Sequence, residues 1–496
     1  MASRREQLEA YVFARRRMVA GFLQPEPGGG TEEKAPRPFR SVLPGIVVGA
    51  LILTGFGVYG LVKPGTPPGW KNKGSLIVGR DSASRYVYLD GKLHPVLNIA
   101  SGRLLLDPGQ FKVNMVPEKV LNSVDHGAPL GIPNAPDRLP TAKEVGKTKS
   151  WTVCERPATG KDGRPDPGSP QRSVFVGAPP KQGELGPDEA IFVQQKAEKA
   201  GDQEPMYVVE GGHAYLIKSG GVRSALVLDA IQPQPVTREW LDTLEPGADI
   251  DFPDVPDYGK PAAVALRSQY ATVGLVLRAE GSGQYYVVLR DGVYPVSRLA
   301  AELLLARTDA RTAYGAGRTP QALPVNVGDL GDAIRPGRMF AAEKGWPERL
   351  PQVVNRIEAQ GDVARTTLCN TYSGTYAGGF AQTRQSAWPA LPERLVDGMG
   401  GVWVEPGTGA LIREVTGRGD DQTGTLFLVT DSGLRYQIVN DPPEQGGSAP
   451  AGADSEAKVR LGYQGIVPTP VPRAWAALVP AGVRLSVKDA KQPQSS

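Results

Sequence analysis

The residue groupings in this 496-residue chain that are suited to chemistry are few, and they point in different directions. Gly146-Lys147-Thr148 comes nearest to a phosphate-binding loop. That loop needs a first glycine, four intervening residues and then Gly-Lys-Ser/Thr between a strand and a helix, so that backbone N–H groups cradle phosphate. Here the first position is Thr141, and Lys149-Ser150-Trp151-Thr152 reads as a strand, not a helix. The acids Asp249, Asp251, Asp254 and Asp257 fall in a proline-rich stretch, which favours a solvated loop over a paired-carboxylate site. The histidines are His94, His126 and His213, none spaced with a cysteine as zinc sites require. No nucleophile-elbow or HExxH pattern occurs. The reading assigns no catalytic residue, no cofactor and no metal.

Cys154 and Cys369 are the only cysteines. Paired, they close a loop of about 215 residues, for which the chain-entropy relation gives up to roughly 5 kcal/mol; the alternative is two buried free thiols. The aromatics Tyr86, Tyr88, Tyr207, Tyr285, Tyr286, Tyr294, Phe427 and Tyr436 have faces suited to sugar stacking, but aromatics at strand spacing more often pack a core. A net charge of +4 is too small to imply nucleic-acid binding.

The elements that carry these residues begin with Val42 to Val62, an uncharged run flanked by Arg40 and Lys63. About 20 helical residues cross a ~30 Å hydrocarbon core, so this run predicts a transmembrane helix over 41–63. Some 40 polar residues precede it and no small-residue cleavage pattern follows, which suits an uncleaved anchor better than a signal peptide. Arg4, Arg5, Arg15, Arg16 and Arg17 precede the span and place residues 1–40 in the cytoplasm by the positive-inside rule. Ser3-Arg4-Arg5-Glu6 is a capping-box signature for a helix starting at residue 4. Leu8, Tyr11, Val12, Met18, Val19, Phe22 and Leu23 then fall at helical spacing beside the arginines, predicting a basic amphipathic helix for a membrane or partner surface. Gly28-Gly29-Gly30 opens a tether to the span. Within the span, Gly45 and Gly49 are candidates for close helix packing.

The remainder repeats itself. VYLDGKLHPV (87–96) and VVLRDGVYPV (287–296) match, with weaker copies at 206–217 and 426–438. Each has a strand, a glycine-containing turn (Asp90-Gly91, Gly211-Gly212, Asp291-Gly292, Ser432-Gly433) and a second strand, which is hairpin chemistry. A helical run and a proline-punctuated tail follow, the tails reading as extended connectors. The predicted domains are repeat 1 over 72–140, central segments over 141–204 and 326–400, repeat 2 over 205–262, repeat 3 over 263–325 and repeat 4 over 401–480. A disordered tail is expected over 481–496. Each central segment carries one cysteine, so the expected centre is one domain built from two distant segments. The fold class is a membrane-anchored, mostly β, α+β chain with four hairpin/helix repeats around a disulfide-linked centre.

The segment RREQLEAYVFARRRMVAGFL, the single span, the four repeats in this order, the LGIPNAP and VPTPVPRAW tails and the cysteine pair together resemble EccB, the single-span component of the actinobacterial type VII (ESX) secretion machinery. The second repeat departs from the pattern, with Gly212-His213-Ala214-Tyr215 in place of the Pro-Val ending of the first and third. The resemblance implies a structural subunit of the secretion membrane complex, forming its periplasmic part and linking the pore to the envelope. Implied partners are an FtsK/SpoIIIE-type ATPase, other membrane subunits, and further copies of itself through the periplasmic domain. Likeness of the repeats to a phage-lysin wall-binding module raises peptidoglycan contact as an alternative. Nucleotide hydrolysis is a second alternative, since some members are labelled ATPases although these residues offer no P-loop.

Overall fold

The computed structural model describes residues 3–23, 38–62, 66–109, 111–159, 165–177, 183–199, 201–315, 317–356, 365–377, 380–389, 401–416, 424–439 and 454–494. These form two compact units: Met1–Trp70 with Val78–Ala83 and Asn114–Val124, and the rest of the chain. The fold is mixed α/β, mostly strands in several sheets, with one disulfide.

In the first unit a helix spans Arg4–Leu23, and the Ser3 N–H donates to Glu6 Oε2 at 2.8 Å, the backbone half of the expected capping box. The amphipathic expectation is corrected. Arg15 stands four residues from both Tyr11 and Val19, inside the apolar stripe, and Phe13 lies on the far side. The helix therefore has no clean apolar stripe set apart from its arginines, and Leu8, Tyr11, Phe13 and Met18 are all exposed. The tether at Gly28-Gly29-Gly30 lies outside the described residues. A second helix runs Pro38–Val62, with side chains described over 42–58. Among the described residues no helix is long and apolar enough to cross a membrane. Elsewhere in this unit Glu118 accepts from the N–H groups of Asp81 and Ser82 at 3.1 and 2.9 Å.

Beyond the two N-terminal helices, four sheets share one strand path. In chain order each has a first strand, a hairpin of two, and a later strand that returns parallel beside the first. The first strands are Ser75–Gly79, Glu189–Gln195, Val276–Ala279 and Gly409–Val415. The returning strands are Lys112–Val116, Gln234–Val236, Leu323–Val325 and Thr469–Pro472. Between hairpin and return lies a helix whose N-cap side chain accepts a backbone N–H: Asn98 from Ser101, Ser219 from Val222, Ser297 from Ala300 and Ser455 from Lys458. A closing segment then bridges parallel to the outer hairpin strand, as at Val96 with Leu130, Ile217 with Ile250, Val296 with Phe340 and Ile438 with Leu485.

Several expectations change here. Of the proline-punctuated tails, 467–475 holds an edge strand, Thr469–Pro472, while 130–136 and 251–256 hold no strand and run as connectors; Pro235, Pro324, Pro470 and Pro472 sit where a missing N–H costs no central ladder bond. Glu189–Gln195, assigned to the centre from sequence, is the first strand of the second sheet. Residues 481–494 are ordered, with Leu485 and Ala490 fully buried. Asp90-Gly91 and Gly211-Gly212 do adopt the positive φ of a two-residue hairpin turn. The third hairpin differs: its loop is Arg290-Asp291, and Gly292 already pairs with Leu289. Gly292 is there for room, since a Cβ would stand 2.7 Å from Arg335 Cγ and 2.9 Å from Ala333 O.

A fifth sheet is assembled from distant segments: Ser150–Thr159, Pro165–Gly177, Thr367–Ala377, Phe380–Trp388 and Val402–Val404. Cys154 and Cys369 face each other across adjacent antiparallel strands, bonded, with Cα atoms 4.0 Å apart. Phe175, Trp388 and Trp403 cover them on one face. Trp151, Val153, Val174, Leu368 and Tyr372 alternate onto the other face.

Candidate functional site

Residues suited to chemistry stand apart from one another. Lys147 follows a four-residue helix, Ala142–Val145, so the helix precedes the lysine, the reverse of a P-loop; its Nζ donates to Glu144 Oε1 at 2.9 Å. The acids disperse into separate contacts: Asp249 with Lys218 at 3.3 Å, Asp257 with Lys260 and Arg290 at 2.8 and 3.0 Å, and Asp251 Oδ1 with the Phe252 N–H. His94 Nδ1 lies 2.9 Å from Ala128 O, His126 packs edge-on against Tyr86, and His213 sits 3.6 Å from Glu245. Among the described residues no group of three or more His, Cys, Asp or Glu is placed to hold a metal. Of the repeat aromatics, Tyr294, Phe427 and Tyr436 are buried in the cores. Gly45 and Gly49 have nothing within 4 Å of a built Cβ. Arg4, Arg5, Arg15, Arg16 and Arg17 lie exposed along the first helix.

What the fold does concentrate is buried polar side chains at the joints between sheets. Glu155 lies on the inward face with Trp151 and Val153, fully buried. Its carboxylate accepts from the Thr237 hydroxyl and from the Thr237 N–H at 2.8 Å, at the start of the helix Arg238–Leu241. Burial pushes this carboxyl up, opposed by those two bonds. Nearby, Gln385 Oε1 accepts from the Gly212 N–H at 2.7 Å, and Gln385 Nε2 donates to Asn370 Oδ1 at 2.9 Å. Asn370 Nδ2 in turn donates to Thr243 O at 2.9 Å. These chains of satisfied bonds fix the second sheet's flank on the central one, because each group would be costly if left unpaired.

The other joints use the same device. The Tyr372 hydroxyl donates to Pro470 O at 2.6 Å, and its ring lies 5.8 Å from that of Trp475. Arg103 donates to Leu461 O at 3.2 Å with its guanidinium 4.1 Å above Phe111, while Arg460 donates back to Leu106 O at 2.6 Å. Asn355 exchanges two bonds with the Phe192 backbone, at 2.9 and 3.0 Å. Sequence reading missed these residues because an isolated polar residue inside a strand names no partner; Glu155 alone gave a signal, a charge on the period-two face of Trp151 and Val153. A cleft of about 330 Å³ opens where three sheets meet, lined by Asp242, Glu245, Tyr376, Pro472, Arg473 and Trp475.

Glu210 carries a consequence for pH. It ends a hairpin strand opposite His213, and burial, helped by Asp188, pushes its carboxyl up to about 7 from 4.5. The folded state then binds the proton more tightly than the unfolded chain. The resulting stability is complete below the unfolded value and is lost as pH rises through about 7. The urea midpoint should therefore fall between about pH 5 and about pH 8 more steeply for the native chain than for Glu210→Gln. Equal slopes for the two would refute the assignment.

As a class, this is a strand-rich protein of several small sheets, one of them cross-linked by a disulfide, joined by buried polar contacts. Residues 1–495 match the family model described as type VII secretion system ESX-1, transport TM domain B, and the chain belongs to this EccB family. It is similar to the ESX-3 secretion system ATPase EccB3 of Mycolicibacterium smegmatis, 27% identical over 98% of this chain and 90% of that protein. It is also similar to ESX-5 secretion system ATPase EccB5 of Mycobacterium marinum, 25% identical over 98% and 93% of the two chains. Its fold matches a chain of the EccB3 dimer from the ESX-3 core complex, with a TM-score of 0.64 at 24% identity over 84% of this chain and 99% of that one. A chain of an intact ESX-5 inner membrane complex matches with a TM-score of 0.63 at 23% identity, covering 100% of this chain and 96% of that one.

Proposed function

We propose that this chain is a structural subunit of a type VII secretion membrane complex, crossing the membrane once over 42–62 with residues 1–40 inside and its sheets outside. The observation that carries the reading is the whole-chain match to the EccB family. The helix Pro38–Val62 supports the topology: Leu43, Ile46, Val47, Leu51, Ile52, Leu53 and Phe56 are all exposed, and a helix apolar all round needs an apolar surrounding. The four sheets with one strand path are four copies of a single unit, arranged about the cystine-bearing sheet. Gly45 and Gly49 leave the helix surface open for a neighbouring helix to approach closely.

The partners under this reading are an FtsK/SpoIIIE-type ATPase, the pore and other membrane subunits, and further copies of the chain. The relatives carry the word ATPase in their names. We place hydrolysis on the separate ATPase, because Lys147 follows its helix and is tied to Glu144 instead of lying in a phosphate cradle. The reading is tested by substituting Gly45→Leu and Gly49→Leu together and isolating the complex in mild detergent. Loss of the other membrane subunits from the variant, with the outer sheets still folded, is expected. Full recovery of the complex would remove the packing role.

A further inference from the structure

The residues read from sequence as a tail are among the most firmly held in the chain. Ala481 and Leu485 bridge parallel to Arg435 and Ile438 of the fourth sheet. The segment then continues onto the first. Leu485, Val487 and Ala490 share one core with Leu104, Leu105 and Leu130, and Pro493 bridges antiparallel to Leu130. Gln494 completes the seam twice: its N–H donates to Pro129 O at 2.9 Å, and its Nε2 donates to Gly131 O at 2.9 Å across a separation of 363 residues. Arg103 and Arg460, each donating to a carbonyl on the other's unit, hold the same two sheets together.

We infer that the first sheet's unit is a composite, closed by residues 485–494, so that its fold is completed only after the strands of the other sheets have been made. Without the closing segment, Leu104, Leu105 and Leu130 lose an apolar wall of the core that they share with Leu485, Val487 and Ala490. The entropy of closing so long a loop grows only with the logarithm of its length, so late closure is thermodynamically affordable. Its rate is the difficulty, because non-local pairing is slow. Until residues 485–494 are present, an apolar surface stands open beside Val96 and Leu130. The folding order is independent of the membrane reading; only the side of the membrane on which that surface waits rests on the proposed topology.

Amide hydrogen exchange on the full-length chain in detergent tests this directly. In Leu485→Ala, exchange at Leu93, Leu97 and Leu130, whose N–H groups bond Asp125, Leu130 and Pro95, should speed up about tenfold or more. Exchange across Ile191–Val193 and Val276–Leu277 should stay unchanged, and Leu485→Met should restore the native pattern. Unchanged protection at Leu93, Leu97 and Leu130 would overturn the inference. So would an equal rise at every segment, since the closing residues would then support the whole protein and not the first unit.

Discussion

Replacing Cys154 and Cys369 together by serine is expected to cost the strand-rich unit about 2–5 kcal/mol. The two residues lie on adjacent strands of one sheet yet are 215 positions apart, with the second and third sheets in between. The bond removes nearly the largest loop entropy available to this chain, for which the relation gives roughly 5 kcal/mol as an upper figure. It also fixes register. A one-residue slip would turn Leu368 and Tyr372 out of the core that they share with Trp151 and Val153. In urea the serine variant should unfold at a lower midpoint and with a steeper slope, because its unfolded chain is less compact. Both sulfurs are buried under Phe175, Trp388 and Trp403, so the native bond should survive mild reductant while the protein stays folded. An unchanged urea midpoint in the serine variant would refute this.

Trp475→Ala is the second large effect, at about 3–5 kcal/mol. Trp475 is 1% exposed and belongs to the core that runs from the central sheet into the second and fourth. It packs on Tyr372, whose hydroxyl anchors Pro470 in the strand just before Trp475. Truncation leaves a cavity at a junction of sheets, where no single element can move in to fill it. Trp475→Phe should lose clearly less than Trp475→Ala. A cost below about 1 kcal/mol for Trp475→Ala would mean that the joint collapses easily and is not a rigid one.

Local features were legible from sequence. Asp90-Gly91 and Gly211-Gly212 announced their turns, Ser3 with Glu6 announced a helix start, and the apolar run from Val42 marked its helix. The pairing of two distant segments about Cys154 and Cys369 was legible as well, because those segments alone broke the repeat. What stayed hidden was non-local. Strands of three residues such as Gln234–Val236 and Leu323–Val325 carry no period of their own, so nothing in the sequence marked them. Residues 485–494 looked dispensable, since the partners that bury them, Leu104 and Leu130, lie far back in the chain. The first helix misled for a different reason: counting apolar residues at helical spacing overlooked Arg15 in their midst. The joints formed by Glu155, Asn370, Gln385 and Arg103 could be seen only once their partners stood beside them.

The central claim is that this chain is a fixed structural part of a larger membrane assembly. The most direct measurement is the composition and size of the particle recovered when the full-length chain is isolated from its native membrane in mild detergent. The account predicts more than one copy of this chain, together with an FtsK/SpoIIIE-type ATPase and further membrane subunits, in one stable particle. A lone, monomeric chain under those conditions would contradict it.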